Sequence, residues 1–150
     1  MKQTMFNRQP LLLVVDDMPD NLELLARMFK EEGYQVRLAP SGALALKAVQ
    51  VQAPDLILLD INMPEMNGFE VCKRLKEQEQ WRQIPIIFIS ALGDAKAKLE
   101  AFEAGGVDYV TKPFQTEEIL VRVKTHLDLY RIKRDLERMV AERTRDLKQS

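Results

Sequence analysis

The chain has 150 residues, 46% of them hydrophobic and 30% charged, a balance that makes one compact domain plus a short extension the expectation. A formal net charge of -1 excludes a chain-wide electrostatic attraction to nucleic acid or to a membrane surface, so any partner surface is local. The single cysteine, Cys72, excludes an internal disulfide, and no Cys/His cluster exists that could hold zinc, which is the pattern of a cytoplasmic protein. Residues 1–10 read as a polar N-terminal tail. The apolar run behind them is cut short by two aspartates, and no stretch reaches the roughly 20 apolar residues that a membrane span needs.

Four short apolar runs follow in chain order: LLLVV at 11–15, LILL at 56–59, IPIIFI at 84–89 and VDYV at 107–110, with a weaker one, YQVRLA, at 34–39. Most are unalternated, which suits strands of a parallel sheet covered on both faces. Between them lie helical segments. Leu22, Leu25, Ala26 and Phe29 recur at i, i+3, i+4 and i+7, and Gly33 closes that helix. Ser41 is positioned to cap a second helix with Leu44, Ala48 and Val51 on its buried face. A third is expected over about 68–79. A fourth, over about 95–104, offers only Leu99 and Phe102 as large apolar anchors before Gly105 and Gly106. Five strands alternating with five helices predict an α/β fold, a flavodoxin-like doubly wound (βα)5 sandwich with a parallel sheet in the order 2-1-3-4-5.

The last helix is expected after Pro113, with Ile119, Leu120, Val123 and Leu127 facing the core. Its pattern does not stop there. Leu129, Ile132, Leu136 and Met139 step by 3, 4 and 3 residues, Arg143 takes the next seam position, and Leu147 follows. This is a short heptad seam. A helix from about 114 to 150 would be roughly 55 Å long, too long for a small domain to cover. The expected organisation is therefore a tail over 1–10, a domain over 11–127 and a coiled-coil linker over 128–150.

In open α/β sheets, ligands gather beyond the carboxyl ends of the strands. Asp16 and Asp17 follow the first strand, Asp60 the third, Ser90 the fourth, and Thr111 and Lys112 the fifth. Asp55 begins the third strand, about 17 Å from Asp60 at 3.3 Å per residue, and is excluded from the site. Each aspartate alone reads as a turn or cap residue, and only their common placement makes them a site. Three carboxylates held together repel unless a hard divalent cation sits among them. Mg2+ fits, because it takes few carboxylates, keeps waters and favours phosphate oxygens. Lys112 offers a cation to a phosphate or a carboxylate, and Ser90 a hydroxyl.

With those residues in place, the chain resembles the receiver domains of two-component response regulators over about 11–127. The resemblance rests on LLLVVDD at 11–17, DLILLDINMPEMNGFEVCKRLK at 55–76, IPIIFISAL at 84–92 and AGGVDYVTKPF at 104–114. It implies that Asp60 is the phosphoacceptor, taking a phosphoryl group from a cognate histidine kinase or phosphotransfer protein with Mg2+ present. It further implies that Asp17, Asp60 and the backbone carbonyl of Asn62 ligate the metal directly and Asp16 through water. Lys112 would hold a phosphoryl oxygen. Ser90 and Tyr109 would form a switch coupled to the surface around the fourth helix and fifth strand, and Lys112–Pro113 would be cis. Such a domain catalyses only its own phosphotransfer and dephosphorylation. Two departures stand out: Ser90 replaces a frequent threonine, and Asn67 stands where an aspartate is common.

A haloacid-dehalogenase-type phosphatase would also use a strand-end aspartate with Mg2+, but it wants a second acid two residues on, where this chain has Asn62. A flavodoxin-like cofactor binder would need a glycine- or hydroxyl-rich loop after the first strand, and DDMPDN is neither. The sole histidine, His126, together with Cys72 and Trp81, reads as packing or surface. Residues 131–150 carry seven Lys/Arg against four Asp/Glu, which reads as a solvated coiled-coil face and not as a nucleic-acid arm. The expected role of that segment is homodimerisation, with ERTRDLKQS resembling signalling-helix linkers that lead to an output domain absent from these residues.

Overall fold

The computed structural model describes residues 9–91 and 95–149, so most of the expected N-terminal tail, together with Leu92 and Ser150, lies outside the described residues. The elements alternate as β1 (Leu11–Val15), α1 (Pro19–Glu31), β2 (Gln35–Ala39), α2 (Gly42–Val51), β3 (Leu56–Asp60), α3 (Gly68–Lys76), β4 (Ile86–Ala91), α4 (Ala95–Ala104), β5 (Asp108–Lys112) and α5 (Thr116–Gln149). The five strands are parallel, in the order β2-β1-β3-β4-β5. This is the expected doubly wound sandwich, with its strand-order reversal between β1 and β3. Among the described residues, no helix is long and apolar enough to cross a membrane.

Alternate residues of each strand feed the two faces. Leu13, Val15, Ile57, Leu59 and Phe88 pack with Val49 of α2, Val71 and Leu75 of α3 and Ala101 of α4. Leu12, Val14, Leu58, Ile87 and Ile89 pack with Leu22, Leu25 and Phe29 of α1 and Ile119, Val123 and Leu127 of α5. β1 and β3 are wholly buried, as strands covered on both sides must be, whereas β2 at the sheet edge is only partly so. The expected core faces of α1 and α5 are correct.

Two helix faces differ from the sequence expectation. In α2 the buried residues are Gly42, Ala45 and Val49, while Leu44 and Val51 lie exposed. The small residues set the rotation: a Cβ on Gly42 would meet Val71 Cγ2 of α3 at 2.8 Å, so α2 turns its slimmest face inward. Ser41 does cap the helix, its Oγ accepting from Leu44 N at 3.2 Å. In α4, Leu99 and Phe102 are exposed, and the core contacts come from Ala97 and Ala101. The third helix is also shorter than expected, ending at Lys76 before a series of turns.

Candidate functional site

Three chain segments deliver charged side chains to the carboxyl edge of the sheet, and a fourth delivers the Ser90 hydroxyl. Strand boundaries are shifted from those expected: Asp60 is the last residue of β3, Ser90 lies within β4, and Thr111 and Lys112 end β5. The register aligns Asp60 with Ile89, Ser90 with Thr111 and Ala91 with Lys112. Asp16 and Asp17 enter from the turn after β1.

Ligand oxygens of Asp16, Asp17 and Asp60 all lie within 4.8 Å of one another, and Asp16 and Asp60 are buried. Lys112 Nζ reaches both, 3.4 Å from Asp16 Oδ2 and 3.5 Å from Asp60 Oδ1. One ammonium therefore contacts two members of a cluster of three carboxyl groups. Burial, then the adjacent Asp16 carboxylate, push Asp60 up to about 6 from its ordinary 3.8, against the opposing pull of Lys112. A divalent cation would relieve this imbalance, and an all-oxygen donor set suits a hard ion.

The other expected residues fall around this cluster. Ser90 is buried, and its Oγ has no hydrogen-bond partner among the described residues, although a buried hydroxyl normally has one. Asn62 lies two residues beyond Asp60 in the exposed loop. Tyr109 pairs with Phe88 across the β4–β5 ladder and is already buried, in the cluster that contains Ala97 and Ala101 of α4. Lys112–Pro113 is cis.

The surrounding geometry explains several residue choices. Gly68 sits directly behind Asp60: a Cβ there would run into the Asp60 backbone carbonyl, and Gly68 N donates to Ile61 O at 2.9 Å. Asn67 caps α3, its Oδ1 accepting from Glu70 N at 3.0 Å, so the departure from aspartate preserves the cap. Asp55 accepts from Leu11 N at 2.7 Å at the opposite end of the sheet, in keeping with its exclusion from the site.

Comparison with known proteins identifies the arrangement. The sequence profile of the response regulator receiver domain matches residues 12–124. The chain belongs to this family. It is 41% identical over 119 residues to the DNA-binding dual master transcriptional regulator RpaA of Synechocystis, covering 79% of this chain and 49% of that protein. It is 39% identical over 114 residues to the response regulator PleD of Caulobacter vibrioides, covering 76% of this chain and 25% of that one. The chain thus spans half or less of either relative. Among solved structures, a response regulator from Chloroflexus aurantiacus superposes with a TM-score of 0.79 at 37% identity, covering 81% of this chain and 99% of its own.

Sequence reasoning missed some supports of this receiver. Asn21 Nδ2 donates to Asp16 Oδ2 at 3.2 Å, and Met18 N donates to Asp16 Oδ1 at 2.9 Å, which fix the first carboxylate. Asn21 stands in the first turn of α1, five residues from Asp16, and that placement was the available signal. His126, expected as a packing or surface residue, has its Nε2 2.9 Å from Asp108 Oδ2, beside Arg122, whose Nη1 lies 2.7 Å from Asp108 Oδ1. Burial opposes ionisation of Asp108, but hydrogen bonds from Arg122, Tyr109 N and His126 outweigh it and hold that carboxyl below its ordinary range.

Proposed function

We propose that this receiver is the phosphoacceptor switch of a two-component phosphorelay, with Asp60 accepting a phosphoryl group from a histidine kinase or phosphotransfer protein. The observation that carries the reading is the Asp16, Asp17 and Asp60 cluster under the single Lys112 ammonium. It is a site short of positive charge, placed at the sheet's switch-point edge. Asp17, Asp60 and the Asn62 backbone carbonyl would hold Mg2+, with Asp16 acting through water. The metal would supply charge neutralisation on the transferring phosphoryl group.

In the step itself, an ionised Asp60 carboxylate oxygen attacks phosphorus of a phosphohistidine. The new P–O bond makes an acyl phosphate, the P–N bond breaks, and its electron pair returns to the imidazole. Lys112 leaves its carboxylate partners to hold a phosphoryl oxygen. The Ser90 hydroxyl, without a partner among the described residues, turns toward that oxygen, and Tyr109, already inward against α4, shifts behind it, so that the chemistry reaches the α4-β5-α5 surface. The site turns over only its own phosphoryl group. The domain ends near Leu127, and the helix beyond it serves as a linker whose exposed apolar stripe pairs with a second copy.

Labelling by acetyl phosphate and Mg2+, read by intact mass, tests the acceptor. Asp60→Asn is expected to lower labelling at least about a hundredfold, since no other group substitutes for the nucleophile. Labelling at the wild-type level would sink the assignment.

A further inference from the structure

The amino edge of the sheet, opposite the carboxylate cluster, carries charge of the other sign. α3 ends at Lys76, a series of turns leads to Pro85 just ahead of β4, and α5 passes beside them. Between them lies a groove of about 350 Å3 whose lining includes Lys76, Arg82, Gln83, Tyr130 and Lys133. Three cationic side chains thus line one concavity, and each comes from a different stretch of chain.

Neutral oxygens alone hold these cations. Lys76 Nζ donates to Arg82 O at 2.8 Å and to Ile84 O at 3.0 Å, while Arg82 Nε donates back to Lys76 O at 3.1 Å. This reciprocal pair ties two like charges to one turn. Lys133 Nζ, arriving on α5, donates to Gln83 Oε1 at 2.7 Å. Among the described residues, no carboxylate forms an ion pair with any of the three. His126 also lines the groove, but its Nε2 faces Asp108, whose carboxylate is engaged by Arg122 and by Tyr109 N. Burial holds the Lys76 ammonium below its ordinary range; Cys72 opposes this and the charge of Lys133 adds to it.

Closing the turns after α3 accounts for Lys76 and Arg82, but not for Lys133, which stands 50 residues beyond Gln83 and adds a further positive charge to the same groove. Donors are also left over. Beyond the contacts given, each ammonium keeps at least one N–H and the Arg82 guanidinium keeps its terminal nitrogens. The rest of the lining is apolar, with Pro85, Val107 and Leu129 beside the Tyr130 ring, over which Arg134 stands at 5.5 Å. Gly105, at φ +114°, makes room for the Lys76 stem: a Cβ there would stand 3.3 Å from Lys76 Cγ and Cε.

We propose that this groove binds a phosphorylated small molecule with a flat apolar body, of the nucleoside monophosphate kind, its phosphoryl oxygens among Lys76, Arg82 and Lys133 and its body against Pro85, Val107 and Tyr130. Ammonium and guanidinium groups suit phosphoryl oxygens, and a concavity of this size with one polar end suits a small ligand. The ligand touches both the turns before β4 and the helix leaving the receiver. Its binding therefore pins α5 to the receiver body, an input to the linker separate from Asp60.

The test uses the full chain in the absence of Mg2+, with AMP, inorganic phosphate and adenosine as probes and backbone amide NMR as the readout. AMP is expected to bind saturably with a Kd of about 0.1–1 mM, shifting amides over 82–85, 107 and 129–133 most. Inorganic phosphate is expected to bind at least about fivefold more weakly, and adenosine more weakly still. Lys133→Gln, exposed and able to keep a donor on Gln83, is expected to weaken AMP at least about tenfold while acetyl phosphate labelling of Asp60 persists. Lys76→Met, which keeps an apolar stem over Gly105, is expected to show a similar loss. AMP shifts that do not saturate below about 10 mM, shifts centred on Asp16, Asp60 and Lys112, or a Lys133→Gln protein that binds AMP as the parent does would overturn the site. Inorganic phosphate binding as tightly as AMP would overturn the role of the apolar body. Failure of Asp60 labelling alone would overturn the phosphoacceptor reading and leave this site standing.

Discussion

Asp55 and Asp60 bracket the same strand, and both are almost wholly buried, yet they live in opposite electrostatic worlds. Asp55 exchanges two hydrogen bonds with Leu11: its Oδ2 accepts from Leu11 N at 2.7 Å, and its own N–H donates to Leu11 O at 2.7 Å. It is a satisfied group that ties β1 to β3. Asp60 faces two further carboxyl groups with one shared lysine, and its proton affinity rises as a result. Burial alone therefore says little about an aspartate's role. What separates a structural carboxylate from a reactive one is whether the fold satisfies its charge or leaves it for a metal and a phosphoryl group.

Three measurements sharpen that contrast. The largest effect is expected from Lys112→Met, which removes the only cation that reaches Asp16 and Asp60 among the described residues. The rate of labelling by acetyl phosphate should fall about a hundredfold, the usual loss when a preorganised charge donor is deleted. A change smaller than about threefold would remove Lys112 from the phosphoryl-binding role.

Next comes Asp55→Ala, which strands the buried Leu11 N–H. Chemical denaturation should show a loss of about 2–3 kcal/mol, with labelling of the folded protein unchanged. If labelling were lost while stability held, the two aspartates would not have separate roles.

The smallest effect has the opposite sign. Asp60 binds its proton more tightly folded, at about 6, than in an unfolded chain at 3.8. Wild-type stability should therefore fall as pH rises from about 4 to about 6, then level off. Asp60→Asn removes this penalty and is expected to stabilise the Mg2+-free protein by about 1–3 kcal/mol at pH 7.5. The gain should shrink on acidification, and added Mg2+ should raise the melting temperature of wild type more than that of the variant. An Asp60→Asn protein less stable than wild type at pH 7.5 would mean that the fold already satisfies this charge.

Legibility differed by element for physical reasons. β1, β3 and β4 announced themselves because strands buried on both faces are continuous apolar runs, and α1 because its large apolar residues keep helical period. α2 and α4 misled because small residues, Gly42 and Ala45 in one and Ala97 and Ala101 in the other, face the core. Hydrophobicity ranks Leu44, Leu99 and Phe102 above them, but close packing against α3 and the sheet selects by size. The carboxylate cluster was legible because topology fixes which strand ends meet. The Asp108–Arg122–His126 contacts were not, since they join residues of β5 and α5 that stand 14 and 18 positions apart.

By itself, the sequence determined the alternation of strands and helices, hence the doubly wound sheet, and with it the convergence of Asp16, Asp17, Asp60 and Lys112 on one edge. Period and strand order follow from local pattern and the handedness of crossovers, which need no knowledge of side-chain contacts. Tertiary structure alone decided which face of each small-residue helix turned inward, that Asp55 is satisfied by the Leu11 backbone, and that Gly68 must leave room for the Asp60 carbonyl. Those outcomes depend on distances of a few ångströms between segments far apart in the chain, and no reading of residue order contains them.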